Sequence, residues 1–84
     1  MTYKAYYFQV MKMKLERLRA MREDRDLKQQ KLAQYLHISQ ATYSEYESGK
    51  INIPFEALWK IADFYNTSVD YLLGRTDNPA PPQQ

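Results

Sequence analysis

A compact all-α domain of five short helices is the fold that this 84-residue sequence predicts. Three observations lead there. Apolar residues recur every three or four positions over most of the chain, which is the period of a helix with one buried face. Residues that start or stop helices, among them Gly49, Pro54, Asn66 and Gly74, punctuate that period at short intervals. No stretch alternates like a strand, except within the first ten residues.

Those ten residues, "MTYKAYYFQV", are rich in aromatics. Tyr3, Tyr7 and Val10 or Met11 fit helical spacing, whereas Tyr6, Phe8 and Val10 alternate like a strand. Short apolar runs do not decide between the two. So many aromatics left in water would cost solubility, so residues 1–11 read as an arm ordered on its own domain or on a partner subunit. The alternative is an unstructured leader before a domain that runs from residue 12 to residue 77.

From Lys12 to Arg25 the pattern is an amphipathic first helix. Leu15, Leu18, Met21 and Arg22 share one face, and Asp26 ends it, since Asp tolerates a left-handed turn. A second helix, Gln29 to Leu36, buries Leu32, Ala33 and Leu36. After the interruption at "HIS", Ser39 is a good N-cap for a third helix reaching Ser48, and Gly49 stops it. "KINIP" is a loop, and Pro54 opens a fourth helix, where Phe55, Leu58, Ile61, Ala62 and Tyr65 recur with Trp59 alongside. Asn66 ends this helix. Ser68 or Thr67 caps a short fifth helix, "SVDYLLG", that stops at Gly74. "RTDNPAPPQQ" has three prolines and no apolar residue larger than Ala, so residues 78–84 read as a disordered tail.

Composition bounds the function. A domain this small rarely encloses an active-site cavity. The absence of cysteine removes disulfides and thiolate metal sites. The single histidine, His37, cannot build a metal cluster, and its place between two helices suits a turn residue with positive φ. No His/Asp pair is placed to activate a serine, and "SGK" lacks the preceding glycine and strand of a phosphate-binding loop. No cofactor is expected, and no enzyme. No run of about 20 apolar residues spans a membrane and no secretory signal is visible, so a cytoplasmic protein is expected. The net charge of +2 is unevenly spread. Residues 11–50 carry nine Lys/Arg against six Asp/Glu, whereas residues 51–84 carry two against four. The basic half contains the second and third helices, which fits phosphate contact but does not require it.

Helices two and three, with a three-residue connection, fit a helix-turn-helix. Ala33 supplies the small residue needed at a tight crossing. Leu32, Leu36, Ile38, Tyr43 and Tyr46 form the shared apolar seam. With Tyr43 and Tyr46 buried, a turn of about 100° per residue leaves Gln40, Ala41, Ser44, Glu45 and Ser48 facing outward.

The chain resembles the DNA-binding domain of the Cro and lambda-repressor-like regulators, the xenobiotic-response-element family. The residues that carry the resemblance are Arg22, "Q..LA..L" from Gln29 to Leu36, "SQATYSEYE.GK" from Ser39 to Lys50, Pro54, and "A....S.DYLLG" from Ala62 to Gly74. It covers residues 12–77. It implies that helix three enters the major groove of double-stranded DNA while helix two crosses the backbone. Gln40 is then the first base reader, with an amide that matches adenine N6 and N7. Ala41 touches a thymine methyl, Ser44 bonds either way, and Glu45 accepts from a cytosine amino group or rejects wrong sequences. Gln29, Ser39, Thr42 and Lys50 contact phosphates, and Arg22 also lies near the backbone. Arg22 and Glu47 match a structural ion pair between helices one and three.

Three departures stand out. His37 replaces a usual glycine, Lys28 stands where Thr or Ser commonly caps helix two, and "KINIP" carries one basic residue where relatives often have several. Fewer phosphate contacts predict weaker non-specific binding. The implied function is transcription regulation by a bacterial or phage protein, as a repressor and homodimer on a palindromic site. The dimer surface would come from helices four and five, with Trp59, Tyr65 and Tyr71 as candidates, or from the arm; core packing is the competing reading of those aromatics. The alternative function is an antitoxin-type or other protein-interaction module that touches DNA weakly, and a regulatory protein partner fits either.

Overall fold

The computed structural model describes residues 15–82. Expectations for the arm, for residues 12–14 and for the last two residues fall outside that range. Five helices pack around one core: α1, described over residues 15–24; α2, Gln29–Leu36; α3, Gln40–Ser48; α4, Phe55–Tyr65; and α5, Val69–Leu72.

Each of the first four helices stops where a residue takes up a left-handed conformation. Asp26 (φ 54°) closes α1, with Leu27 N–H donating to Arg22 O at 3.0 Å. His37 (φ 59°) closes α2, Gly49 (φ 77°) α3 and Asn66 (φ 55°) α4. In each case the backbone N–H groups just beyond the turn reach back to carbonyls the helix leaves open. The starts are unequal. Ser39 Oγ accepts from Thr42 N–H at 3.1 Å and Ser68 Oγ from Tyr71 N–H at 2.9 Å. Lys28 makes no side-chain cap for α2, as its departure from the family pattern predicts. Pro54 is the N-cap of α4 rather than its first residue, and α5 is shorter than "SVDYLLG", with Leu73 as its C-cap.

Leu15, Leu18 and Met21 of α1 face Leu32, Ala33 and Leu36 of α2, Tyr43 and Tyr46 of α3, Leu58, Ile61, Ala62 and Tyr65 of α4, and Leu72 of α5 in one continuous core. Ile53 joins them from the loop. Phe55 does not: the periodic stripe of α4 included it, yet it stands exposed at the first residue of the helix, beyond the core's edge.

The segment after α5 is anchored at two points. Arg17 of α1 donates to Tyr71 O and Thr76 O, both at 2.7 Å, pairs with Asp77 at 2.7 Å, and stacks over the Tyr71 ring at 4.1 Å. Buried Thr67 donates its hydroxyl to Pro79 O at 2.6 Å. Residues 78–82, whose composition reads as disorder, are thus held at Pro79 by a side chain that composition does not register.

Candidate nucleic-acid interface

α3 has two unlike faces, and its inward face is fixed by more than apolar packing. Tyr43 is fully buried and Tyr46 nearly so. One turn on from Tyr43, the Glu47 side chain is 0% exposed and carries a charge that must be matched. Arg22, whose side chain is 12% exposed, matches it in a two-pronged contact: Nε donates to Oε2 at 2.7 Å and Nη2 to Oε1 at 3.1 Å. Arg22 Nη1 donates to Leu27 O at 2.7 Å, which ties the same side chain to the end of α1. Gln29 Nε2 adds a 3.2 Å bond to Glu47 Oε1, and Arg19 stands 3.7 Å away.

Burial by itself would raise the Glu47 carboxyl. The bonds from Arg22 and Gln29, with the Tyr43 hydroxyl close by, outweigh it and hold the group below its ordinary 4.5. Hydrogen bonding to Glu47 raises Arg22 in turn, against its own desolvation. Burial and the Glu47 charge push the Tyr43 phenol well above its usual range. Tyr65 is pushed up to about 12, by burial first and by the Glu47 charge second. Neither the Tyr43 nor the Tyr65 hydroxyl has a hydrogen bond of ordinary geometry among the described residues. Both phenols therefore stay neutral, and Glu47 stays charged, at physiological pH.

This locked face turns the other outward. Gln40, Ala41 and Ser48 are exposed, and Thr42, Ser44 and Glu45 half-buried. Ser39 Oγ donates to Thr42 Oγ1 at 2.9 Å, so the Thr42 hydroxyl keeps its own proton for another acceptor. Ser48 Oγ donates to Glu45 O at 3.2 Å, within its own helix. Lys50 is exposed in the loop beyond Gly49, its N–H anchored to Glu45 O at 3.0 Å. Gln40, Ala41, Ser44 and Glu45 thus lie together on one surface, with Ser39 and Thr42 at its leading end and Lys50 at its trailing end.

Two expected phosphate contacts stand apart from that set. Arg22 spends three of its N–H donors inside the domain. Gln29 turns one amide proton inward to Glu47 and keeps its carbonyl oxygen and second proton. Sequence reasoning missed Arg19 beside Glu47 and Arg25 stacked on Tyr65 at 4.9 Å; the position of Arg19, three before Arg22 on one helix face, was the available signal. Of the three aromatics offered for a dimer surface, Tyr65 is buried and Tyr71 lies under Arg17, which leaves only Trp59 in the open. Among the described residues no group of His, Asp and Glu is arranged to hold a metal ion, and no helix is long and apolar enough to cross a membrane.

The helix-turn-helix family model matches residues 18–72. The chain is 38% identical to YobD of Bacillus subtilis (strain 168), named an uncharacterized HTH-type transcriptional regulator, over 79% of this chain and 59% of that protein. It is 41% identical to the HTH-type transcriptional regulator AnsR of the same strain, over 75% of this chain and 54% of that protein. It is 36% identical to the HTH-type transcriptional activator BcrR of Enterococcus faecalis, over 69% of this chain and 28% of that protein. The chain therefore spans little more than half the length of the first two relatives. No solved structure matches it. With the family match covering the core of the fold and α2 packed against α3, the chain belongs to the helix-turn-helix family, in its xenobiotic-response-element branch.

Proposed function

We propose that this chain is a sequence-specific double-stranded DNA-binding regulator of transcription that acts without catalysis, as a homodimer on a palindromic operator. The observation that carries the reading is the fixed rotation of α3. The Tyr43, Tyr46 and Glu47 face is locked inward, so Ala41 and Ser44 lie on the opposite face, where their short side chains allow close approach to base edges. Gln40, at the first turn, has an exposed amide that suits adenine. Thr42, Ser39, Lys50 and the N-terminus of α2 with the outer half of Gln29 meet phosphates; Arg22 acts by holding α3 in place. Repression is the simplest action, because it needs only occupancy of the DNA. A single domain presents too few contacts for tight selective binding, so two copies bind half-sites about one helical turn apart.

Selection from a randomised duplex pool tests this. The expected product is a palindrome bound by two chains, and Gln40→Ala loses about 1–3 kcal/mol of discrimination at one base pair per half-site. With Lys50 the one basic residue of its loop, affinity falls only gently with salt. A second reading rests on Glu45, a carboxylate on the reading face: a protein-interaction or antitoxin-type module whose acidic helix meets a basic partner. If no duplex is enriched over competitor at low salt, that second reading takes the place of the first.

A further inference from the structure

α4 turns a second surface outward that the core does not use. Phe55 and Trp59, one turn apart, are 60% and 57% exposed, and their rings meet edge to face at 5.7 Å. Beside them runs a groove of about 590 Å³, between α4 and the start of α5, lined also by Val69, Pro81 and Pro82. Its rim carries two carboxylates, Asp63 and Asp70, the latter 3.7 Å from Arg75 Nε, and no Lys or Arg lines the groove itself. A surface of exposed aromatics with acidic edges repels a phosphate backbone and suits an occupant that is aromatic and cationic.

The chain carries such a segment. Residues 1–14 hold Tyr3, Tyr6, Tyr7 and Phe8 with three lysines and no Asp or Glu. The place where the chain enters the fold is also favourable. Arg17, two residues beyond Leu15, bonds to Tyr71 O at the end of α5, so the first described turn of α1 stands against the short helix whose opening residues line the groove. The eleven steps from Lys4 to Leu15 reach about 36 Å when extended, comparable with the longest dimension of the molecule, 37 Å.

We infer that residues 3–8 dock in the α4–α5 groove of their own domain, with their aromatic rings against Phe55 and Trp59 and Lys4 against Asp63. A tether this short holds the segment at an effective concentration on the order of millimolar, above that of a second free chain. The arm then covers the Phe55–Trp59 surface that the helices leave open. This inference does not depend on DNA binding.

Trp59 is the only tryptophan, so its fluorescence reports the groove alone. Acrylamide quenching and emission maximum are compared between the full chain and a chain lacking residues 2–10, across a wide range of protein concentration. Loss of the arm should raise the quenching constant about twofold, as roughly half of the contact area of the ring is uncovered, and shift emission to the red at every concentration. Lys4→Glu should do the same, and Asp63→Lys should restore protection to Lys4→Glu, which keeps the test valid if circular dichroism shows the shortened chain unfolded. Equal quenching in the full and shortened chains overturns the inference. So does protection that survives the deletion and grows with concentration, which means a second copy covers the groove. Protection that needs both the arm and high concentration overturns it as well, since the arm then sits in a partner.

Discussion

α3 and α4 both carry aromatic residues at helical spacing, and they treat them in opposite ways. On α3, Tyr43 and Tyr46 are buried beside a charged group that Arg22, Gln29 and Arg19 surround. On α4 the inward stripe of Leu58, Ile61, Ala62 and Tyr65 is complete without Phe55 and Trp59, which remain in solvent. Trp59 falls about 100° around the helix from Leu58, too far to reach the core. On the proposed reading α3 presents four side chains in one register, which needs its rotation fixed by directional bonds as well as by apolar contact, because apolar packing alone tolerates small rotations. The inner face of α3 has such bonds. α4 serves as a wall, and its outer surface is left for another segment to use.

The sharpest way to break this contrast is Arg22→Ala. It strands the buried Glu47 charge, which costs about 3 kcal/mol, the low end for a broken buried pair because Arg19 and Gln29 stay close. For a domain of this size the melting temperature should then fall by roughly 12–24 °C. Gln40→Ala, on the outward face of the same region, should leave it unchanged. Thermal unfolding followed by circular dichroism separates the two, and a melting point in Arg22→Ala equal to that of the parent would mean the pair contributes nothing to holding α3.

Acid and alkali probe the same cluster with smaller effects. Glu47 titrates lower in the folded chain than its ordinary 4.5, so its contribution is fully present above about that pH and is lost as pH falls through the folded value. Glu47→Gln should remove that part of the acid dependence in urea midpoints measured from neutral pH downward. Tyr65 moves the other way. Its folded value of about 12 lies above the ordinary 10, so its contribution is present below pH 10 and lost between there and 12, as the unfolded chain gives up the proton first. An acid slope identical in Glu47→Gln and the parent would show that the carboxylate is not held down.

How much of this could be read from sequence follows from whether a feature is local. The stops at Asp26, His37, Gly49 and Asn66 were legible because each is a one-residue conformational preference, and the structure puts all four in the left-handed region. The two serine caps were legible for the same reason. The Arg22–Glu47 pair was legible from helix phase together with family resemblance. Arg19 beside Glu47, Ile53 folded inward from a loop, and Thr67 holding Pro79 were not, because each depends on which distant segment packs nearby. Trp59, Tyr65 and Tyr71 share a composition and a spacing but have three different surroundings, and only the packing of α1 and α5 against α4 separates them. The outward set proposed to read bases is an intermediate case: the rotation of α3 that brings Gln40, Ala41, Ser44 and Glu45 together was legible, and which bases they would meet is a property of the DNA.

The smallest effect tests the joint between the two helices of the motif. His37 sits at φ 59° and ψ 42°, and its N–H still reaches back to Gln34 O at 3.2 Å, so the turn is well formed despite its side chain. A Cβ in that conformation costs about 1–2 kcal/mol. Glycine removes this cost but gives back roughly 0.5–1 kcal/mol through the greater freedom of the unfolded chain. His37→Gly should therefore stabilise by about 0.5 kcal/mol, a rise of roughly 2–4 °C in melting temperature. Because Ile38 N–H also closes the turn onto Ala33 O at 3.0 Å, the crossing of α2 and α3 is fixed by backbone and survives the change. Affinity for the selected duplex should then be the same in His37→Gly and the parent. A gain in stability with a loss of affinity would instead mean that the imidazole sets the angle at which α3 meets the groove, and that the histidine belongs to the reading surface and not only to the turn.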